Sequence, residues 1–265
     1  MTKKVIVGGC SFTLGNELSD DVDGKTPSKK SWAYLLTQET HPNYVCTAFG
    51  GLGNQAIARR TFNAVAQNTD ADCVVVMWTF PSRYDWAMPR HKVLEDRRWA
   101  SISPWDTETG NEEAFRVMQG SETQQQHWKI KRELFQTTGV QPFAEAIYKY
   151  AANLYHEVYL SWKSIIWLQN ILERRNIPFM FTLADNSLFY DGNEQHLYTD
   201  NLLKAMHSEI DFTKWRSFDK KMMGFNQWAL LHDYPRGTTH PLDQAHEDAV
   251  KYFLRDKFNK LIGGK

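Results

Sequence analysis

Val5-Ile6-Val7-Gly8-Gly9-Cys10-Ser11-Phe12-Thr13-Leu14-Gly15 begins as an apolar run of strand length, breaks into glycines and delivers a hydroxyl at its end. In an open α/β sheet the carboxyl ends of the strands border the ligand crevice, so a serine just past a first strand faces a ligand rather than the core. Gly8, Gly9 and Gly15 allow a tight turn and a close approach of backbone to that ligand. The same pattern also serves a purely structural turn, so its chemistry has to be judged against the rest of the chain.

Working outward, strand-like runs recur at 43–49, 72–79 and 178–184 after the first at 3–9. Helical patterns occupy about 28–39, 54–67 and 141–175, and a last one spans 243–262. Strands alternating with helices imply a mostly parallel sheet. The runs 74–77 and 178–183 are apolar on both faces, as central strands are when helices cover both sides of the sheet. The expected fold is therefore a three-layer α/β/α sandwich, read as a single domain over 1–265 with insertions at 84–140 and 186–235.

The insertion at 84–140 scatters Trp86, Trp99, Trp105 and Trp128 among Asp85, Arg90, Arg97, Arg98 and Asp106. Such rings either form the insertion's own small core or serve as a lid or partner surface, stacking on sugars or covering an acyl chain. Polar residues 121–126 read as an exposed loop. The stripe of Phe143, Ile147, Tyr150, Leu154, Val158, Trp162, Ile165, Ile166 and Leu168 at helical spacing reads as packing against the sheet.

Lysine plus arginine and aspartate plus glutamate both total 31, so no global field draws the chain to nucleic acid or an anionic membrane. No apolar run approaches the roughly 18 residues that span a bilayer, and no signal-peptide core follows Met1, so synthesis in the cytoplasm without export by that route is expected. Cys10, Cys46 and Cys73 have neither disulfide-framework nor zinc spacing and read as reduced packing residues. Cys10 has a sharper alternative as a thiolate nucleophile. No cofactor or metal is expected. The scatter of Asp185, His232, Asp233, His240 and His246 lacks compact ligand spacing.

Near the other end, Gly237-Thr238-Thr239-His240-Pro241-Leu242-Asp243-Gln244-Ala245-His246 leads into an amphipathic stretch at 248–261. Pro241 fixes the join of loop to helix and with it the direction of His240. A neutral histidine is a natural general base for a serine hydroxyl. In the plainer reading, His240 decorates a helix start and His246 packs on the helix. Arg83, just after the third strand, is a candidate for substrate or oxyanion contact. Asp185, just after the fourth, either contacts substrate and orients a histidine or caps a turn.

Together these two end segments resemble the SGNH hydrolases, the GDSL-like esterases and lipases. That family's first block reads Gly-Asp-Ser-Leu-(Thr)-x-Gly, and Gly9, Ser11, Thr13 and Gly15 match it while Cys10 replaces the aspartate. Its last block, Asp-x-x-His-Pro, is matched at His240 and Pro241, with Gly237 where the acid stands. Phe49-Gly50-Gly51-Leu52-Gly53-Asn54-Gln55-Ala56-Ile57 is similar to the glycine-rich second block, aligning Gly53 and Asn54 with its oxyanion turn. The third block is reduced to a strand followed by Trp78-Thr79-Phe80-Pro81-Ser82-Arg83, in which either Thr79, Ser82 or Arg83 stands in for the family's asparagine or nothing does. A strand ending in Trp-Thr and followed by Pro and Arg is also similar to SGNH-like proteins carried by tailed phages of marine bacteria.

The resemblance implies a flavodoxin-like sandwich and a serine esterase acting on short acyl esters, such as O-acetyl groups on carbohydrate. Ser11 is then the nucleophile, His240 the base, and Asp233 or Asp243 the acid that orients it. The amides of Ser11, Gly53 or Asn54, with Thr79, hold the oxyanion. The expected partner is a small-molecule or glycan ester, with no nucleic acid and no membrane. The alternative is an SGNH scaffold whose catalysis has decayed, kept as a virion component or a glycan-binding protein.

Overall fold

The computed structural model describes residues 4–88, 99–118, 122–189 and 200–263. Arg90, Arg97 and Arg98 lie outside the described residues. Four parallel strands form the central sheet: β1 (Lys4–Gly8), β2 (Val45–Cys46), β3 (Ala71–Trp78) and β6 (Phe179–Leu183), in the order β2-β1-β3-β6. Between β1 and β2 lie a one-turn helix, α1 (Ser11–Leu14), and α2 (Trp32–Thr37). The connection from β2 to β3 runs through α3 (Asn54–Gln67).

Leaving β1, the chain first moves one way to β2 and then crosses back over β1 to β3. Right-handed crossovers in opposite directions put α2 and α3 on opposite faces of the sheet. The long helix α7 (Leu154–Arg174) packs on α3, and the C-terminal helices pack near α2, which completes three layers. Every residue of β6, and every residue of β3 after Ala71, is buried, as strands covered on both faces require. The reversal of strand order beside β1 makes its carboxyl end the topological switch point. Ser11 is three residues past that end.

The residues from 84 to 150 build a small structure beside the sheet. Strands β4 (Tyr84–Ala87) and β5 (Trp99–Ile102) pair antiparallel, followed by α4 (Glu108–Val117), α5 (Glu122–Thr137) and α6 (Val140–Tyr150). Two small apolar clusters hold it, one around Tyr84, Ile102, Phe135 and Ile147, the other around Ala114, Met118 and Trp128. The rings divide accordingly: Trp128 is buried, whereas Trp86 and Trp99 are 49% and 44% exposed.

Two expectations are corrected here. Residues 122–126 are the first turns of α5 rather than an exposed loop. The long pattern at 141–175 is two helices, because the chain turns at Ala151 and Asn153 caps α7 by accepting from the His156 amide. The break explains why Tyr150 is 77% exposed although it falls on the apolar stripe. Past β6, the segment at 186–235 carries α8 (Asn201–Ser208) and α9 (Phe225–Leu231). The chain then closes with α10 (Asp243–Ala249), a π-helical turn at Val250–Leu254, and α11 (Arg255–Gly263). No helix among the described residues is long and apolar enough to cross a membrane.

Candidate active site

Gly9 opens the site by leaving room. A Cβ there would fall 1.9 Å from the Thr13 hydroxyl, so the turn from β1 into α1 closes only around a bare Cα. Ser11 then becomes the first residue of α1, and Gly15 ends that single turn in the left-handed conformation, φ 87°. Phe12 packs its ring edge-on against the His240 ring with centroids 4.6 Å apart. Cys10 is fully buried in the core. That burial removes it as a candidate nucleophile.

The two ends of the chain meet. His240 Nε2 lies 2.8 Å from Ser11 Oγ, and His240 Nδ1 lies 3.0 Å from Glu17 Oε2. Glu17, six residues past the serine, supplies the carboxylate that the sequence reading sought near the histidine. Its Oε2 also accepts from the amides of Thr239 and His240, both at 2.9 Å, and its Oε1 from the Thr238 hydroxyl. The Glu17 side chain is only 4% exposed. Burial pushes its pKa up, but the histidine and the Thr238 and Thr239 donors outweigh it and bring the group down to about 2.

Holding the carboxylate there takes an unusual backbone. Glu17 has φ 68°, a left-handed conformation that β-carbon sterics disfavour. The surrounding loop fixes it through aspartate turns, with Asp21 accepting from the Glu17 and Gly24 amides and Asp20 from Ser28 and Lys29. Gly237 completes the exchange of acids. A Cβ at 237 would stand 2.7 Å from Glu17 Oε2, so Glu17 fills the space toward which an acid at 237 would project.

Asp233 and Asp243, the carboxylates expected to orient His240, are placed elsewhere. Asp233 is exposed in a turn after α9. Asp243 accepts from the Ser19 amide and hydroxyl and from Lys30, fastening the Glu17 loop to α10. His246 is buried and accepts the Trp32 amide on Nδ1, which leaves it a packing residue. Among the described residues no three His, Cys, Asp or Glu side chains converge as a metal site.

The expected oxyanion turn is also displaced. Asn54 and Thr79 are buried, and the Asn54 amide clamps Thr79 by accepting from its N–H at 2.8 Å and donating to its carbonyl at 3.0 Å. Gly53 abuts the Arg83 backbone, where a Cβ would come within 2.6 Å of the carbonyl oxygen. Gly50 and Gly51, not Gly53, Asn54 or Thr79, line the cleft in front of Ser11. Asp185 caps a turn, accepting from the Ser187 amide and from Gln227, and does not line that cleft.

The Asn54 clamp carries a test of its own. Asn54→Ala strands the buried N–H and C=O of Thr79, a loss of about 2–4 kcal/mol. Scanning calorimetry should show the melting temperature lowered by roughly 5–15 °C.

Glu17 ties stability to pH. Its folded pKa near 2 is below the ordinary 4.5, so the stabilisation is present above about pH 4.5 and is lost as pH falls toward 2. The gap corresponds to about 3 kcal/mol. Urea titrations should find the stability advantage of wild type over Glu17→Gln shrinking by about that amount between about pH 6 and pH 2. An advantage independent of pH would refute the assignment.

The cleft above Ser11 and His240 encloses about 400 Å³ and is also lined by Trp105, Met118 and Trp128. Arg83 enters it with its guanidinium carbon 4.7 Å from the Phe80 ring centroid, held by the Leu52 carbonyl at 3.1 Å. No family model matches the chain, and no curated protein matches it. Among solved structures it is similar to an acetyl xylan esterase from the rumen bacterium Butyrivibrio proteoclasticus, with 13% identity and a TM-score of 0.46 over 99% of this chain. The chain spans 65% of the length of that esterase.

Proposed function

We propose that this chain is an SGNH-type serine esterase that hydrolyses short acyl esters, of which O-acetyl groups on carbohydrate are the favoured class. The observation that carries the reading is the continuous relay from Ser11 through His240 to Glu17, with contacts of 2.8 and 3.0 Å. A scaffold kept only for binding needs none of these contacts, and the buried carboxylate is a liability without a cationic or donor partner.

In the proposed reaction Ser11 Oγ bonds to the acyl carbon while its proton moves to His240 Nε2. The tetrahedral intermediate collapses with cleavage of the ester C–O bond, and His240 returns the proton to the departing alcohol. Water then attacks the acyl-serine by the same route and releases the acid. Glu17 keeps the imidazole proton on Nδ1 so that Nε2 faces the serine. The oxyanion donors are the Ser11 amide, which has no intrahelical acceptor at the first position of α1, and the Gly50–Gly51 turn bordering the cleft.

The test is covalent labelling by a fluorophosphonate, read as intact mass. Wild type and Cys10→Ala should each take one label, and Ser11→Ala none. Labelling that survives in Ser11→Ala, or none in any form, would overturn the reading, and the second result would favour a binding scaffold.

A further inference from the structure

The cleft does not end at the catalytic serine. A second lobe of about 450 Å³ adjoins it, and Gly50, His127 and Lys131 line both. Across the two lobes the lining contains five cationic side chains, Lys25, Arg59, Arg60, Arg83 and Lys131, against one carboxylate, Asp85. In a chain with 31 basic and 31 acidic residues, this is a local concentration of charge.

Two nearby acids are paired with cations, while Asp23, close to Lys25, accepts from the Lys25 and Thr26 amides. Asp85 is held by Arg59 through two bonds of 2.7 and 3.0 Å, and Asp106 by Lys131 at 2.6 Å. Lys25, Arg60 and Arg83 have no carboxylate within salt-bridge distance among the described residues. Arg60 donates its Nε to the Thr47 carbonyl and Arg83 reaches the Leu52 carbonyl, so both guanidinium groups are positioned without being neutralised. On the shared wall burial, then Lys25 and Lys131, lower the pKa of His127, against smaller opposing effects of Asp23 and Asp21. Among the cations stand aromatic rings, with Arg59 over Trp99 at 4.3 Å and Arg60 over Phe49 at 5.9 Å, so the guanidinium planes and rings together line the lobe.

Resting on the esterase reading, we propose that the carrier of the ester is an anionic carbohydrate. Its acyl group sits at Ser11, and its charged groups run along the second lobe against Arg60 and Lys25. Carboxylates and sulfates share this chemistry, because a guanidinium offers paired donors to either.

Binding to Ser11→Ala tests the proposal without relying on catalysis. Calorimetry would compare an unacylated oligogalacturonate, a sulfated oligosaccharide, a neutral xylo-oligosaccharide of equal length and a single-stranded DNA oligomer. At low salt at least one anionic sugar should bind about tenfold more tightly than the neutral one, and the advantage should shrink as ionic strength rises. Arg60→Gln should remove most of that advantage, and Lys25→Gln, at an exposed position, should reduce it severalfold. Equal binding of neutral and anionic sugars, or an advantage untouched by both variants, overturns the proposal. Tighter binding of the DNA overturns it in favour of a nucleic-acid site. A protein that labels at Ser11 but prefers the neutral sugar keeps the esterase reading and loses this one. Selective anion binding without labelling does the reverse.

Discussion

Ser11→Ala is expected to lower kcat on a short acyl ester by about a millionfold, and His240→Ala by a similar factor. The reason is that the two side chains act as one unit. The hydroxyl is a poor nucleophile until Nε2, 2.8 Å away, takes its proton, and the imidazole has nothing to activate once the hydroxyl is gone. The double variant should therefore be no slower than either single one, retaining only what cleft binding and oxyanion donors provide. The measurement is the turnover of 4-nitrophenyl acetate by all four proteins. Losses that multiply in the double variant would mean that Ser11 and His240 act independently and that the relay is not catalytic.

The second large effect is at Glu17. Glu17→Gln keeps the side-chain size but presents an amide to His240 Nδ1, which favours the wrong tautomer, and a loss of about ten-thousandfold in kcat is expected by analogy with the aspartate of serine proteases. KM should change far less, since Glu17 does not line the cleft. The steric exclusion at 237 adds a rescue experiment. Gly237→Asp alone should be harmful, because even its Cβ meets the Glu17 carboxylate. In a Glu17→Gly background the space is open and the φ of 68° is relieved, so adding Gly237→Asp should recover at least about tenfold of the lost rate. Without recovery, the equivalence of the two acid positions fails.

The fold was legible because its signals are local. The apolar runs at 72–79 and 178–184 are strands since their side chains suit burial on both faces, and α3 falls on the expected 54–67. Ser11 and His240 were legible because each stands at an abrupt change from one kind of element to the next. Glu17 was not. Its role depends on a left-handed residue in a loop whose path is set by aspartate caps and by Asp243, which holds Ser19 from 224 residues away. The only sequence trace was negative: a glycine at 237 leaves room for something, and the acids near His240 were not what filled it. Gly53, Asn54 and Thr79 misled for a related reason. A glycine and an asparagine at a helix start fit an oxyanion turn and a packing clamp equally well, and only the Asn54 to Thr79 bonds distinguish them.

Placing the acid beside the nucleophile also orders events during synthesis. Ser11 and Glu17 leave the ribosome together, whereas His240 follows Glu17 by 223 residues. At the usual rates of translation that interval is roughly 10–45 s. The whole sheet, ending at Leu183, is made before the base exists. The nascent chain thus carries its serine unarmed, and reactivity toward esters begins only when the His240 loop, and Asp243 just after it, arrive to fix the Glu17 carboxylate and the base together.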